Sequence, residues 1–185
     1  MKRFLLAMGL AGAAATGVFA QTSGVFSQES AVFDFAFLDY WYHPQNVVGL
    51  RVGIPWGSNN NVTGIDVGLY GKANNMAGIQ VNLLANIVRD RADAVQVSLY
   101  NHAGSLSGVQ AGLMNVTGYG ALGYDTRLMF SACVQLGILN VANDLRGVQV
   151  GIVNQADMLY GFQIGLVNVI KSGVVPFMPI VNIGF

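Results

Sequence analysis

A short phrase written twice in succession constrains this chain more than anything else in it. GVQVGIVN at 147–154 is followed fourteen residues later by GFQIGLVN at 161–168. A period that short is one supersecondary unit and not a domain, so the fold has to be assembled from neighbouring copies. The frame recurs from first positions 49, 64, 78, 94, 108, 133, 147 and 161, in steps of 15, 14, 16, 14, 25, 14 and 14. Arg51 and Asp66 take the glutamine position in the first two copies, and Ala94 and Cys133 stand where other copies have the first glycine.

Numbered from that glycine, positions two, four and six are apolar (Val148, Val150, Ile152), while three and five are glutamine and glycine. Alternation with period two defines a two-faced strand. An apolar residue also recurs two places before the unit, at Val62, Met76, Leu106, Leu145 and Leu159. The extended segment is then about ten residues, leaving three or four for a turn; residues 155–158 and 170–173 have the chemistry for one. Ahead of the repeats, alternation from Ala31 puts Phe33, Phe35 and Phe37 on one face, expected to be buried or in lipid, and the run breaks at Pro44. Behind them, residues 174–185 read as a closing strand with Phe177, Val181, Ile183 and Phe185 on one face.

Eight repeat strands plus an opening and a closing one make about ten, and two all-β architectures can use them. The first is an antiparallel meander of short strands closed as a small outer-membrane-type β-barrel, with positions two, four and six facing lipid. Pairing antiparallel about position four sets each glutamine opposite a glycine, which suits a crowded lumen. The alternative is a parallel β-solenoid, in which each unit is a coil and the recurring glutamines and asparagines stack as ladders, Asn101, Asn115, Asn140, Asn154 and Asn168 satisfying one another. A fourteen-residue turn of such a structure has to bend, and the glycine at position five allows a corner there. The barrel is the expectation, because charge is scarce and the strand length suits a tilted membrane strand.

Composition and the N-terminus point to the envelope. Charged residues make up 10% of the chain, against roughly 25% in ordinary soluble domains, and 53% of residues are hydrophobic. The formal net charge is zero, so there is no basic field for nucleic acid. Lys2 and Arg3, the apolar run from Phe4 to Ala15 and small residues to Ala20 read as a signal peptide over 1–20, cleaved before Gln21. The apolar run is shorter than the roughly 20 residues a spanning helix needs, and Gln21 in place of cysteine argues against a lipoprotein. Residues 21–30 read as a flexible lead-in and 31–185 as a single β-repeat domain. The lone Cys133 excludes an internal disulfide.

The phrase order resembles that of bacterial surface-repeat-containing proteins of the leptospiral type. The resemblance rests on VVGLRVGIPWGSNNNVTGIDVGLYG at 48–72, the successive GVQ-GL-N units, and the ending GFQIGLVNVIKSGVVPFMPIVNIGF. It covers nearly all of the chain after the leader, departing at residues 82–85 and 116–132. It implies a surface or envelope location and no particular activity.

No nucleophile triad, phosphate loop or metal-ligand spacing is present in the sequence, and no catalytic, cofactor or metal residue is assigned. His43 sits in an aromatic stretch beside a turn, and His102 reads as an exposed loop residue. Arg89, Asp90, Arg91 and Asp93 read as a solvated hairpin tip. Arg51 and Asp66, at equivalent positions of adjacent repeats, would pair if both face inward. Asn61 to Thr63 is a glycosylation-like triplet. Gly118, Gly120 and Gly123 read as a loop, and Cys133 as a small residue in a small slot. The expected function is that of a non-enzymatic outer-membrane or cell-surface protein, structural or interacting, in contact with outer-membrane lipid, its assembly machinery and a surface partner. No small-molecule substrate is indicated. The alternative is an exported soluble solenoid that binds a partner along a flat face. Function is expected where the phrase breaks, at residues 39–46, 82–93 and 116–132.

Overall fold

A computed structural model describes residues 30–37, 45–118 and 130–185. Residues 1–20, expected as a signal peptide, most of 21–30, expected as a flexible lead-in, and His43, Gly120 and Gly123 lie outside the described residues. Five strands and no helix make up the described chain: β1 (Ser30–Phe37), β2 (Asn46–Val97), β3 (Tyr100–Thr117), β4 (Ser131–Ile170) and β5 (Phe177–Gly184). They form one sheet in the order β1-β2-β3-β4-β5. The sheet is mixed and does not close on itself.

The expected antiparallel meander of about ten short strands gives way to a different arrangement. β1 with β2, β2 with β3 and β3 with β4 all pair in parallel; only β5 runs antiparallel to its neighbour. The register sets like on like, with Gly108 beside Cys133, Gln110 beside Gln135, Gly112 beside Gly137 and Asn115 beside Asn140. Antiparallel pairing would have put each glutamine against a glycine, leaving a buried amide without its natural partner. Parallel stacking gives each glutamine inside the stack a glutamine on either side to donate to and accept from, and buried polar groups demand such partners. The strands are also long: β2 covers 52 residues and β4 covers 40, running through several repeats without interruption. Residues 155–158, expected as a turn, therefore lie inside β4, whereas 171–176 leave it in a turn that Gly173 N closes by donating to Ile170 O.

Glycine places the change of backbone direction. Position one has φ between 129° and 153° in six of the repeats, a region that L side chains rarely adopt. At Gly161 a Cβ would also run into the carbonyl of Gly147. Position five, where a corner is expected from sequence, has no positive φ. Gly151 is needed there for space, since a Cβ would meet the carbonyl of Gly137 and the amide of Asn140.

Past the first repeat, four rows turn inward. Glutamine at position three and asparagine at position eight are fully buried throughout. Small residues follow at position ten (Ala73, Ala103, Ala142, Ala156), and the apolar residue two places before the phrase completes the set (Val62, Met76, Leu106, Leu145, Leu159). Position-two, -four and -six side chains point outward, so the parity expected for the barrel is seen on an open sheet: Gln149 is buried while Ile152 is 48% exposed. β1 follows the same rule. Asp34 and Ala36 are buried, and Phe35, expected on a buried or lipid-facing side, is 47% exposed on the outer one.

Candidate functional site

Two features are built by the stacking, an internal polar column and an external apolar wall. The column forms because the same amide side chain returns at the same height in every repeat. Gln96 Nε2 donates to Gln80 Oε1, Gln110 to Gln96, Gln135 to Gln110, Gln149 to Gln135 and Gln163 to Gln149, at 2.7 to 2.9 Å. The asparagines form a second column of opposite polarity, Asn86 Nδ2 donating to Asn101, Asn101 to Asn115, Asn115 to Asn140, Asn140 to Asn154 and Asn154 to Asn168. Their side-chain dipoles thus oppose each other. The glutamine and asparagine stacks are the ladders the solenoid alternative anticipates; their opposed polarity is not legible in the sequence.

The glutamine column is anchored by charge at its N-terminal end. Gln80 Nε2 donates to Asp66 Oδ2 at 2.9 Å, and Asn82 Nδ2 to the same oxygen at 3.0 Å. Arg51 grips Asp66 with both arms, Nε to Oδ1 at 2.7 Å and Nη2 to Oδ2 at 2.6 Å, with both side chains buried. Its remaining arm, Nη1, donates to Asn59 Oδ1 at 2.9 Å and to the carbonyl of Lys72 at 2.7 Å. Asn59 Nδ2 then reaches Asp34 Oδ2 at 3.0 Å, which ties β1 into the same network. Room for this cluster comes from Gly71, where a Cβ would meet Asn82, Asp66 and Gln80. The extra residues at 82–85, a departure from the phrase, supply Asn82 as part of the cluster. Four side-chain hydrogen bonds thus converge on the Asp66 carboxylate and hold the charge inside the network. At the other end, Gln163 Oε1 has no hydrogen-bond partner among the described residues.

The remaining sequence candidates scatter. His102, expected in an exposed loop, is instead buried in β3, stacked on Tyr100 with centroids 6.5 Å apart; burial lowers its pKa. Arg91 and Asp93 pair at 2.9 Å on the solvent side of β2 rather than at a hairpin tip, where Val88 to Arg91 bulges against β3. The hydrogen bond from Arg91 to Asp93 raises the guanidinium pKa. Asn61 takes part in an outer asparagine stack, donating to Asn46 and accepting from Asn75. Gly118 N closes onto Ala103 O. Cys133 is buried, and burial pushes its thiol up to about 12, far from a reactive thiolate. Among the described residues no three metal-ligand side chains gather at one point. A polar cleft of about 270 Å³ brings Gln45 and Arg89, from two breaks in the phrase, together with Lys72 and Asn74.

The wall is the larger feature. Positions two, four and six of the eight repeats are apolar without exception, and none of these side chains is buried. Ile65, Val67, Ile79, Val81, Val95, Val97, Leu136, Ile138, Val150, Ile152, Ile164 and Leu166 are each 37 to 68% exposed. Adjacent repeats carry the rows across strand pairings (Val95 to Val109 to Val134, Val97 to Ala111 to Leu136), and β1 and β5 extend them with Phe35 and with Val181 and Ile183. A monomeric soluble protein rarely leaves so continuous an apolar face in water. In comparisons with protein-family models, curated proteins and solved structures, no match to this chain is found.

Proposed function

We propose that this chain is a parallel β-solenoid, exported to the envelope or surface of a two-membrane bacterium, that acts without catalysis as a structural and interaction scaffold through its apolar wall. The observation that carries this reading is the glutamine-on-glutamine and asparagine-on-asparagine register. Successive repeats stacked in parallel at one height are what a solenoid requires, and an amide-filled interior leaves the outer faces to do the work. The leader-like residues 1–20 and the resemblance to surface-repeat proteins support export and a surface address.

A membrane-embedded reading draws on the same wall, whose outward rows would face lipid. Membrane barrels are antiparallel and closed because an open sheet edge cannot be satisfied in hydrocarbon; the parallel pairing and open sheet weigh against it. The test is to express the full chain with its leader, fractionate the cells, and purify the exported protein. A solenoid scaffold is recovered by surface proteolysis or mild release and stays folded in detergent-free buffer. Recovery only from detergent-solubilised outer membrane, with a heat-dependent gel mobility, would overturn the reading in favour of a barrel.

A further inference from the structure

Resting on the scaffold reading, we infer that the apolar wall is the interface of a homodimer, two copies packed face to face. Three features favour a second copy as the occupant. The first is size. Eight repeats flanked by β1 and β5, spaced about 4.8 Å apart, span roughly 43 Å, and positions two to six cover about 17 Å with their side chains. The footprint of ~700 Å² is close to the ~800 Å² per partner of a stable interface.

The second is self-complementarity. In-register stacking lines up each outward position as a straight row of branched side chains, giving parallel ridges with grooves between them. Under a twofold axis along the strands each row meets the same row of the partner, so two identical faces close on each other with matched spacing. The midpoint of the wall falls between the fourth and fifth repeats, where Val97 lies beside Ala111. Ala111 is the sole alanine among the twenty-four wall positions. A twofold axis lying in the interface, along the strands at that midpoint, seats Val97 of one copy over the partner's Ala111 and the reverse, a larger residue over a smaller one at the centre.

The third is chemistry. The wall positions include no Lys, Arg, Trp or Tyr, the residues that anchor a protein at a lipid interface. Several charges off the wall are held by neighbours. Arg91 pairs with Asp93, Lys171 with Asp157, and the Arg146 guanidinium sits 4.4 Å from the Phe130 ring centroid. An apolar centre free of charged residues is the anatomy of a protein interface.

The experiment measures the mass of the exported protein in detergent-free buffer by light scattering coupled to gel filtration, for the native chain and for Val97→Lys. A lysine at the centre of a twofold interface lies beside its own copy, while in the monomer it is solvent-exposed and leaves the interior amides untouched. The expected result is a native protein of twice the chain mass and a Val97→Lys protein of single mass with unchanged β-type circular dichroism. Should Val97→Lys fail to fold, Val97→Cys serves instead, with a short bismaleimide giving a double-mass band that Asp93→Cys, off the wall, does not. A folded native monomer in plain buffer overturns the dimer while leaving the scaffold reading intact. An open-ended assembly, or a monomer that floats with phosphatidylglycerol-phosphatidylethanolamine vesicles, also overturns it. Insolubility without detergent together with heat-modifiable mobility would instead remove the scaffold reading itself.

Discussion

The most consequential residues here are polar ones in an interior. Gln110 bonds on both sides, to Gln96 and to Gln135, at 2.9 Å each. Gln110→Met keeps the volume but strands a buried acceptor on one side and a donor on the other; at about 1–3 kcal/mol per orphan, a loss of roughly 2–6 kcal/mol is expected in urea unfolding. Arg51→Met removes the cation from a buried carboxylate and should cost about 3–5 kcal/mol. Adding Asp66→Asn should recover part of that loss, a sign that an uncompensated charge and not lost packing is responsible; a double-mutant cycle checks it. His102 makes stability depend on pH. Burial lowers its folded pKa below the unfolded value of about 6.5. Its contribution is therefore fully present above that value and is lost as pH falls through the lowered folded value, because the unfolded chain binds a proton that the folded one refuses. His102→Gln should flatten this acid limb in melts taken from pH 7 downward. Both buried charges were legible as partners from their matching repeat positions. The burial of His102 was not, since a histidine following an asparagine reads equally well as a turn.

At the level of the element, β5 behaves unlike everything before it. The four preceding strands pair with one another in parallel, and β5 turns back antiparallel, pairing Phe162 with Ile183 and Ile164 with Val181. Its Met178 carbonyl takes the last donor of the asparagine column, Asn168 Nδ2, at 3.1 Å. A parallel stack without such an end presents an edge shaped to receive another repeat. Removing residues 171–185 should convert the protein into elongated aggregates at concentrations where the full chain is clear, seen as rising light scattering and thioflavin fluorescence. Unchanged solubility would mean that β5 does not guard the edge. The sequence marked a closing strand at this place from its alternation. Its reversed direction came from the turn at 171–176, whose geometry depends on Ile170 being anchored in the core.

For the whole molecule, near-identical layers predict near-additive behaviour. Excising residues 147–160 joins Arg146 directly to Gly161 and keeps the fourteen-residue step from Cys133, so every column closes across the gap. The shortened protein should fold with the same circular dichroism and a melting temperature lower by a few degrees, whereas a closed barrel deprived of one strand would lose its closure and fail to assemble. Excising a seven-residue half, 147–153, breaks the columns and should abolish folding.

The chain by itself determined the all-β character, the repeat frame, the outward apolar parity and the pairing of Arg51 with Asp66, because each follows from spacing and alternation that any strand obeys. Only the tertiary structure decided between parallel and antiparallel neighbours. A period-two pattern is the same read in either direction, so alternation cannot say which strand lies beside which. What distinguishes the two is whether a buried glutamine meets another glutamine or a glycine, and that is settled when the layers stack and each amide finds its partner.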